Sequence, residues 1–326
     1  MAEVRAQRAS SPLRSEDIAP VRAFWEALGL PGLFDVHVHF LPPNIQRRVY
    51  EQFDLAGPKI GREWPIRYRG SHEERIELLR EFGVRRFPTL PYAHRPGIAT
   101  YLNDWARGFA DDVPESLRSA TFYPEPEAAK YVDRLVGDGV EVFKVHVQVG
   151  EFHLDDPLLD PVWGTLADSG TPVVIHAGSG PVANAFTGAP PLRRVLERFP
   201  RLTAVVAHMG APEYADFLAL AEAYERVHLD TTMVFTDFFE ADAPYPRDLL
   251  PRLRDLQPKV LLGSDFPTIP YPYAHQLDGL ARLDLGEQWL RDVCWDNGVR
   301  LFGLHGGEEV AQQPSRNHLG CRAPGR

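Results

Sequence analysis

Four apolar segments of this chain each end on a side chain able to bind a metal or move a proton. The first, Gly32-Leu33-Phe34, runs into Asp35-Val36-His37-Val38-His39. Side chains alternate along a strand, so His37 and His39 share one side of a sheet and set two imidazoles next to each other. The other three are Val173-Val174-Ile175-His176, Ala204-Val205-Val206-Ala207-His208 and Leu261-Leu262-Gly263-Ser264-Asp265. Three imidazoles and a carboxylate (His37, His39, His176 and Asp265) suit one divalent first-row metal, zinc first, with manganese or iron as alternatives. A carboxylate on the metal can also take a proton from bound water, whose pKa the ion lowers towards ~7. That makes Asp265 catalytic as well as a ligand, and leaves His208 to orient the water or carry the proton. One histidine at a strand end is more often a hydrogen-bonded structural residue. Four endings of the same kind carry the argument.

These groups lie far apart in sequence, so the fold must gather them. After a helix expected over 15–28, strand-like and helix-like segments alternate. Strands are expected at 33–39, 84–90, 119–123, 140–147, 172–176, 203–208, 227–231 and 260–264. Helices are expected at 73–82, 98–111, 127–136, 159–168, 192–198, 212–224 and 247–256, and two more at 274–283 and 287–302 close the fold. In the first of these, Ile76, Leu79 and Phe82 recur at helical spacing. Eight alternating β and α units predict an α/β protein, a closed (β/α)8 barrel of the TIM type. A doubly wound open sheet is the competing topology, but it usually carries a Gly-rich phosphate turn after its first strand, and here that strand ends in histidines. In a parallel barrel every strand opens its C-terminal end onto one face, where side chains from strands one, five, six and eight can meet. The stretch 40–69, rich in Pro, Arg and aromatics, is too long for a plain connection and reads as a lid or binding loop.

Length and composition agree with one such domain at 31–304, after an N-terminal extension and helix at 1–30 and before a tail at 305–326 expected to be disordered. His305 and His318 in that tail are poor ligand candidates. The formal net charge of −10 without a long basic run argues against nucleic acid or an anionic membrane as partner. The first twelve residues lack the apolar core of a secretory signal, and no run of about 18 apolar residues is present. Two cysteines, Cys294 and Cys321, build neither a disulfide framework nor a cysteine-rich zinc site, so the cytoplasm is the expected compartment.

The motifs together resemble the amidohydrolase superfamily, in particular the amidohydrolase-related branch that includes aminocarboxymuconate-semialdehyde decarboxylase. The resemblance spans roughly 34–304. Asp35-Val36-His37-Val38-His39-Phe40-Leu41-Pro42 is similar to the branch's D-x-H-x-H-x-x-P opening. It is joined by His176-Ala177-Gly178, His208-Met209-Gly210, Gly263-Ser264-Asp265-Phe266-Pro267 and the closing Asn297-Gly298-Val299-Arg300-Leu301-Phe302-Gly303. The resemblance implies a single metal on His37, His39, His176 and Asp265, with His208 beside its water. It also implies two reaction classes on one scaffold: hydrolysis by metal-bound hydroxide, and non-oxidative decarboxylation of an unsaturated or aromatic acid. A homodimer is common for such barrels.

Substrate-side residues are fewer. Lys144, in Val142-Phe143-Lys144-Val145-His146, stands where two-metal relatives carry a bridging carboxylated lysine. The one-metal reading instead gives Lys144 or His146 an anionic group of the substrate, or pairs Lys144 with a buried acid. Arg95, in Pro91-Tyr92-Ala93-His94-Arg95, can face a carboxylate. Trp64, Arg67 and Tyr68 can close over a planar substrate, and Asp230 can orient a ligand histidine. The expectation from sequence is therefore an amidohydrolase-type hydrolase acting through metal-activated water on a small, carboxylate-bearing organic molecule. A metal-dependent carboxy-lyase is the alternative, and a barrel that only binds its ligand is a third.

Overall fold

The computed structural model describes residues 12–303. The polar N-terminus, the tail with His305 and His318, and Cys321 lie outside the described residues. The strands are β1 (Leu33–Phe34), β2 (Val84–Pro88), β3 (Ser116–Leu117), β4 (Ser119–Thr121), β5 (Val142–His146), β6 (Val173–His176), β7 (Ala204–Val206), β8 (Val227–Asp230) and β9 (Val260–Leu261). All neighbouring pairs are parallel, in the orders β1-β2-β3 and β4-β5-β6-β7-β8-β9. β3 and β4 together occupy the position of one strand, interrupted at Arg118, whose backbone N–H donates to Glu141 Oε2 instead of a ladder carbonyl (2.8 Å).

The ring closes between the last strand and the first. Val36 N–H donates to Leu262 O (2.8 Å), Asp265 N–H to His37 O (2.8 Å) and His39 N–H to Phe266 O (2.7 Å), with a parallel bridge between Val38 and Phe266. Counting β3 and β4 as one, eight parallel strands enclose a TIM barrel, as expected from sequence. Its interior is filled by side chains, one or two from most strands: Val36, Leu117, Val142, Val174, Val205 and Leu261, with Phe34 stacked on Phe302 beneath them. Alternate residues such as Phe143, Val145, Val173 and Ile175 face the surrounding helices. Strands buried on both faces read as continuous apolar runs, which is why β6 and β7 were conspicuous in sequence.

Local chemistry sets the helix ends. The helix His72–Phe82 starts at a capping box in which Ser71 and Glu74 satisfy each other's backbone N–H groups, and it stops at Gly83 in the left-handed region. The last expected helix is divided: Glu287–Arg291 and Asn297–Phe302 flank a π-helical turn at Asp292–Asp296. There Asn297 Nδ2–H donates to Val260 O (2.8 Å) and Gln257 O (2.7 Å), tying the C-terminal helix to the start of β9.

The long excursion after β1 is helical rather than a plain loop. Helices Pro43–Asp54 and Ala56–Ile60 fold across the mouth of the barrel, the first opening with proline at its N-terminal turn. Ile45, Val49 and Phe53, spaced by four, give it an apolar face towards the barrel. The returning chain is pinned by Trp64 Nε1–H to Thr268 O (2.7 Å). It is pinned again by Arg67 and Tyr68, which both donate to the buried Asp17 of the N-terminal helix (2.8–2.9 Å). Arg67 and Tyr68 therefore brace the cap, which corrects the expectation that they close over a substrate. Trp64 does line the cavity.

Candidate metal centre

The two histidines of the opening motif reach the mouth because the chain bends at Val36, after β1 has ended. Beneath the bend, buried Asp35 accepts from His37 N–H (3.1 Å), Ser264 N–H (3.1 Å) and the Tyr273 hydroxyl (2.8 Å), locking the first strand to the last. Burial pushes its carboxyl up to about 7. Gly263 permits this junction: a Cβ there would lie 2.1 Å from Thr232 Oγ1 and 2.8 Å from the Cβ of His37.

His208 and Asp265 are aimed by unusual backbone. In β7, Val205 and Ala207 point inward, so strand alternation alone would turn His208 outward. Positive φ angles at His208 (52°) and Met209 (52°) swing it back over the barrel. Asp265 (φ 67°), Leu90 (φ 36°) and Met233 (φ 63°) are also left-handed without being glycine, and each follows the C-terminal end of a strand. Such strain persists only where the surrounding packing over-determines it, and it collects at functional sites.

The hydrogen bonds then fix which nitrogen each ring offers. His37 Nδ1 faces Asp230 Oδ2 (2.8 Å), His39 Nδ1 faces Leu90 O (3.0 Å) and His208 Nδ1 faces Thr232 O (3.1 Å). Carbonyls and carboxylates only accept, so all three Nδ1 atoms carry hydrogen and the Nε2 atoms of the neutral rings are lone pairs. Asp265 Oδ1 lies 3.2 Å from His39 Nε2 and 3.7 Å from His37 Nε2, and ligand atoms of the three residues all fall within 4.8 Å of one another. Three acceptors converging in a buried space require a cation between them, either a proton or a metal ion. This donor set, two imidazoles oriented by hydrogen bonds plus a carboxylate, fits a divalent metal.

Electrostatics keep the cluster ready for that role. Burial, followed by the positive charge of Lys144, holds the His37 imidazole far below its ordinary pKa. Burial does the same for His146 and His176, and lowers that of His208. Neutral imidazoles are the ligand form. Burial raises the Asp265 carboxyl, but the neighbouring imidazoles, His39 first and then His37 and His208, outweigh this and leave it below the usual carboxylate range. Lys144 is fully buried, its ammonium pushed down to about 8 by desolvation against the pull of Asp230 and Asp265. Its Nζ stands 3.3 Å from His37 Nε2, donating to the lone pair that His37 would give a metal. A metal ion and the ammonium cannot both hold that nitrogen.

His176 is placed differently. Its Nε2–H donates to Gly180 O (3.0 Å), its ring stacks on His146 at 3.9 Å between centroids, and it stands 4.8 Å from the His208 ring. The structure brings His37, His39 and Asp265 into one ligand cluster, with His208 beside His37 (5.0 Å between rings) and His176 one ring further along. Asp230 is the residue that organises the floor: it accepts from His37 through one oxygen and from the backbone N–H of His208 (2.8 Å) and Thr232 (3.2 Å) through the other.

Above the cluster lies a cavity of about 570 Å³, within the range of small-molecule sites. His37, His39, Lys144, His146, His176, His208 and Asp265 form its floor, and Ile45, Val49, Phe53, Trp64, Met233 and Phe239 its walls. Arg95 stands on the exposed rim with Arg48 and Lys59. The apolar wall from the cap helix was missed in sequence, although Pro43 followed by Ile45, Val49 and Phe53 carried the signal. Tyr92, also on the cavity wall, was quoted in its motif without a role. Burial beside Asp265 pushes its phenol well up, so it stays protonated.

No helix among the described residues is long and apolar enough to cross a membrane. Comparison with curated proteins finds no match. Several solved structures share the fold. An uncharacterised TIM-barrel protein from Bordetella bronchiseptica superposes with a TM-score of 0.66 at 19% identity, covering 83% of this chain and 99% of that one. A 2,6-dihydroxybenzoate decarboxylase solved with 2,6-dihydroxybenzoate gives 0.62 at 19% identity, over 85% and 100% of the two chains. A 5-carboxyvanillate decarboxylase from Novosphingobium aromaticivorans, with bound manganese, gives 0.58 at 15% identity, over 84% and 98%. At such identities the likeness speaks to the fold. The sequence itself goes further, because residues 34–304 match the model of the amidohydrolase family, with the histidines and aspartate of the floor inside the matched span. The chain belongs to the amidohydrolase family, a metal-dependent enzyme superfamily.

Proposed function

We propose that this enzyme is a metal-dependent, non-oxidative decarboxylase of a small aromatic or similarly unsaturated carboxylic acid. The observation that carries the reading is the polarity of the cavity. Among the described residues Asp265 is the one carboxylate on its lining, whereas Lys144, Arg48, Lys59 and Arg95 bring four cationic side chains to it, and the walls are apolar and aromatic. On a chain of net charge −10 that local excess of positive charge selects an acid with a flat apolar body. The two decarboxylases that share the fold support the same choice, and it reverses the order of hydrolase and carboxy-lyase expected from sequence.

In this reading one ion per chain is held by His37, His39 and Asp265, with His176 as a further ligand once its ring leaves Gly180. Zinc and manganese both suit nitrogen and carboxylate donors. When bound, a divalent ion supplies positive charge that anchors the acid and stabilises the charge developing as its C–C bond breaks. The chain does the rest. Lys144 turns from His37 to an oxygen of the acid, and Arg95 meets a second polar group at the rim. The cap helix and Trp64 exclude water from the ring of the substrate. As carbon dioxide leaves, the bonding electrons stay on the ring carbon and a proton from Asp265 or His208 completes the new C–H bond. Asp265 is held ionised and His208 Nε2 is a lone pair, so whichever of the two delivers that proton must first collect it, from a hydroxyl of the substrate or from water.

The same ionised Asp265 supports a second reading, hydrolysis, in which it takes a proton from water while His208 orients it. An assay on metal-loaded protein that follows carbon dioxide and hydrolysis products in parallel separates the two. Carbon dioxide from hydroxybenzoates or muconate-like acids is expected. Turnover of lactones, esters or amides with no carbon dioxide from any acid contradicts the proposal.

A further inference from the structure

Tyr92 has no part in the ligand cluster, yet its position is more fixed than a wall residue needs. Leu90, two residues earlier, adopts a left-handed backbone conformation and spends its carbonyl on His39 Nδ1–H. Ala93, the next residue, donates its backbone N–H to Thr121 Oγ1 (3.0 Å). Between these anchors the Tyr92 ring meets the His39 ring edge to face at 5.6 Å and the His146 ring at 5.4 Å. It lines the cavity and is only partly enclosed by protein. Ring packing alone would be served by phenylalanine. A tyrosine hydroxyl in a sheltered site ordinarily finds a partner, and among the described residues none hydrogen-bonds to this one. Elsewhere among the described residues the hydroxyls of Tyr68, Tyr123, Tyr131, Tyr214 and Tyr273 are partnered, while those of the buried Tyr245 and Tyr271 are not.

We propose that Tyr92 is a substrate-contacting residue: its phenolic O–H donates a hydrogen bond to a carboxylate oxygen of the bound acid, on the side of the cavity formed by His39 and His146. The geometry supports this assignment because a donor held rigidly beside the ligand cluster needs no reorganisation to meet an anionic oxygen. Lys144 reaches the floor from beside His37, so the two donors approach the acid from different directions and together fix how its plane stands in the cavity. The inference rests on the reading of the substrate as an acid.

Tyr92→Phe keeps the ring contacts and removes only the donor. Zinc-loaded full-length protein is titrated calorimetrically with acetate, benzoate and 2,6-dihydroxybenzoate, and metal content and Tm are measured alongside. The expected result is about tenfold or more weaker binding of the acids by Tyr92→Phe, as for loss of a hydrogen bond to a charged group, with metal content and Tm unchanged. Tyr92→Leu, which also removes the ring, is expected to weaken binding at least as much and to lower Tm. Acids that bind the wild type and Tyr92→Phe equally overturn the inference and leave the decarboxylase reading standing. A wild-type protein that binds none of the three acids overturns both.

Discussion

Replacing Asp230 by asparagine tests the floor of the site without touching a metal ligand. One carboxylate oxygen accepts two backbone N–H groups, from His208 (2.8 Å) and Thr232 (3.2 Å), and the other accepts His37 Nδ1–H (2.8 Å). An asparagine in this buried place must keep its carbonyl oxygen on the two backbone donors, since its amide hydrogens would clash there. Its NH2 then faces His37, which can accept that hydrogen only by giving up the one on Nδ1. The ring changes tautomer, Nε2 becomes protonated, and the lone pair meant for the metal is lost. Removing a partner that orients a ligand histidine typically costs 10–100-fold in metal affinity, or about 1.4–2.7 kcal/mol. Zinc affinity measured by competition with a chromophoric chelator should fall by that factor in Asp230→Asn, while circular dichroism keeps the barrel signature. In a His37→Ala background the same change should cost almost nothing more, because the two residues act through one bond. Equal affinity of wild type and Asp230→Asn, or full additivity in the double variant, would refute the tautomer argument.

Two other outcomes follow from the same geometry. Asp265→Asn should lower kcat by about 10²–10⁴ at saturating metal, the usual contribution of a positioned proton-transfer group, and near-normal turnover would remove Asp265 from the chemistry. His228, largely buried on β8 with Nδ1 unpartnered, has its pKa depressed from 6.5 to about 4 by desolvation, with Lys259 and Arg300 adding to it. Between those values the unfolded chain binds the extra proton and the folded chain does not, so stability falls as pH drops from 6.5 towards 4. At about 1.4 kcal/mol per pH unit, that one site contributes on the order of 3 kcal/mol. Thermal unfolding followed from pH 7 to 4 should therefore be less acid-sensitive in His228→Leu; parallel curves would contradict the assignment.

The barrel was legible because its strands are buried on both faces and stand out as apolar runs, and because each of the four chemical endings marks the open end of a strand. What sequence could not supply was direction. His208 lies on the wrong side of the alternation and reaches the site through two left-handed residues, a choice of backbone that Ala207-His208-Met209-Gly210 does not announce. Arg67 and Tyr68 look like lid residues in a motif-rich loop, yet Asp17, fifty residues earlier, binds both. The cap helix was readable from Pro43, Ile45, Val49 and Phe53, but the surrounding arginines and prolines suggested a loop. His176 ends its strand as expected, while its stacking on His146 depends on the register of β5 against β6, which pairs those two residues across the sheet. A strand register of that kind is a tertiary property.

The central claim is that His37, His39 and Asp265 hold a cation in common, and X-ray absorption at the zinc edge of zinc-loaded protein tests it most directly. The account requires one ion per chain, with two or three imidazole nitrogens at about 2.0–2.1 Å together with a carboxylate oxygen, and the loss of an imidazole in His39→Ala. Zinc bound below one equivalent, or bound without imidazole in its first coordination sphere, would contradict it.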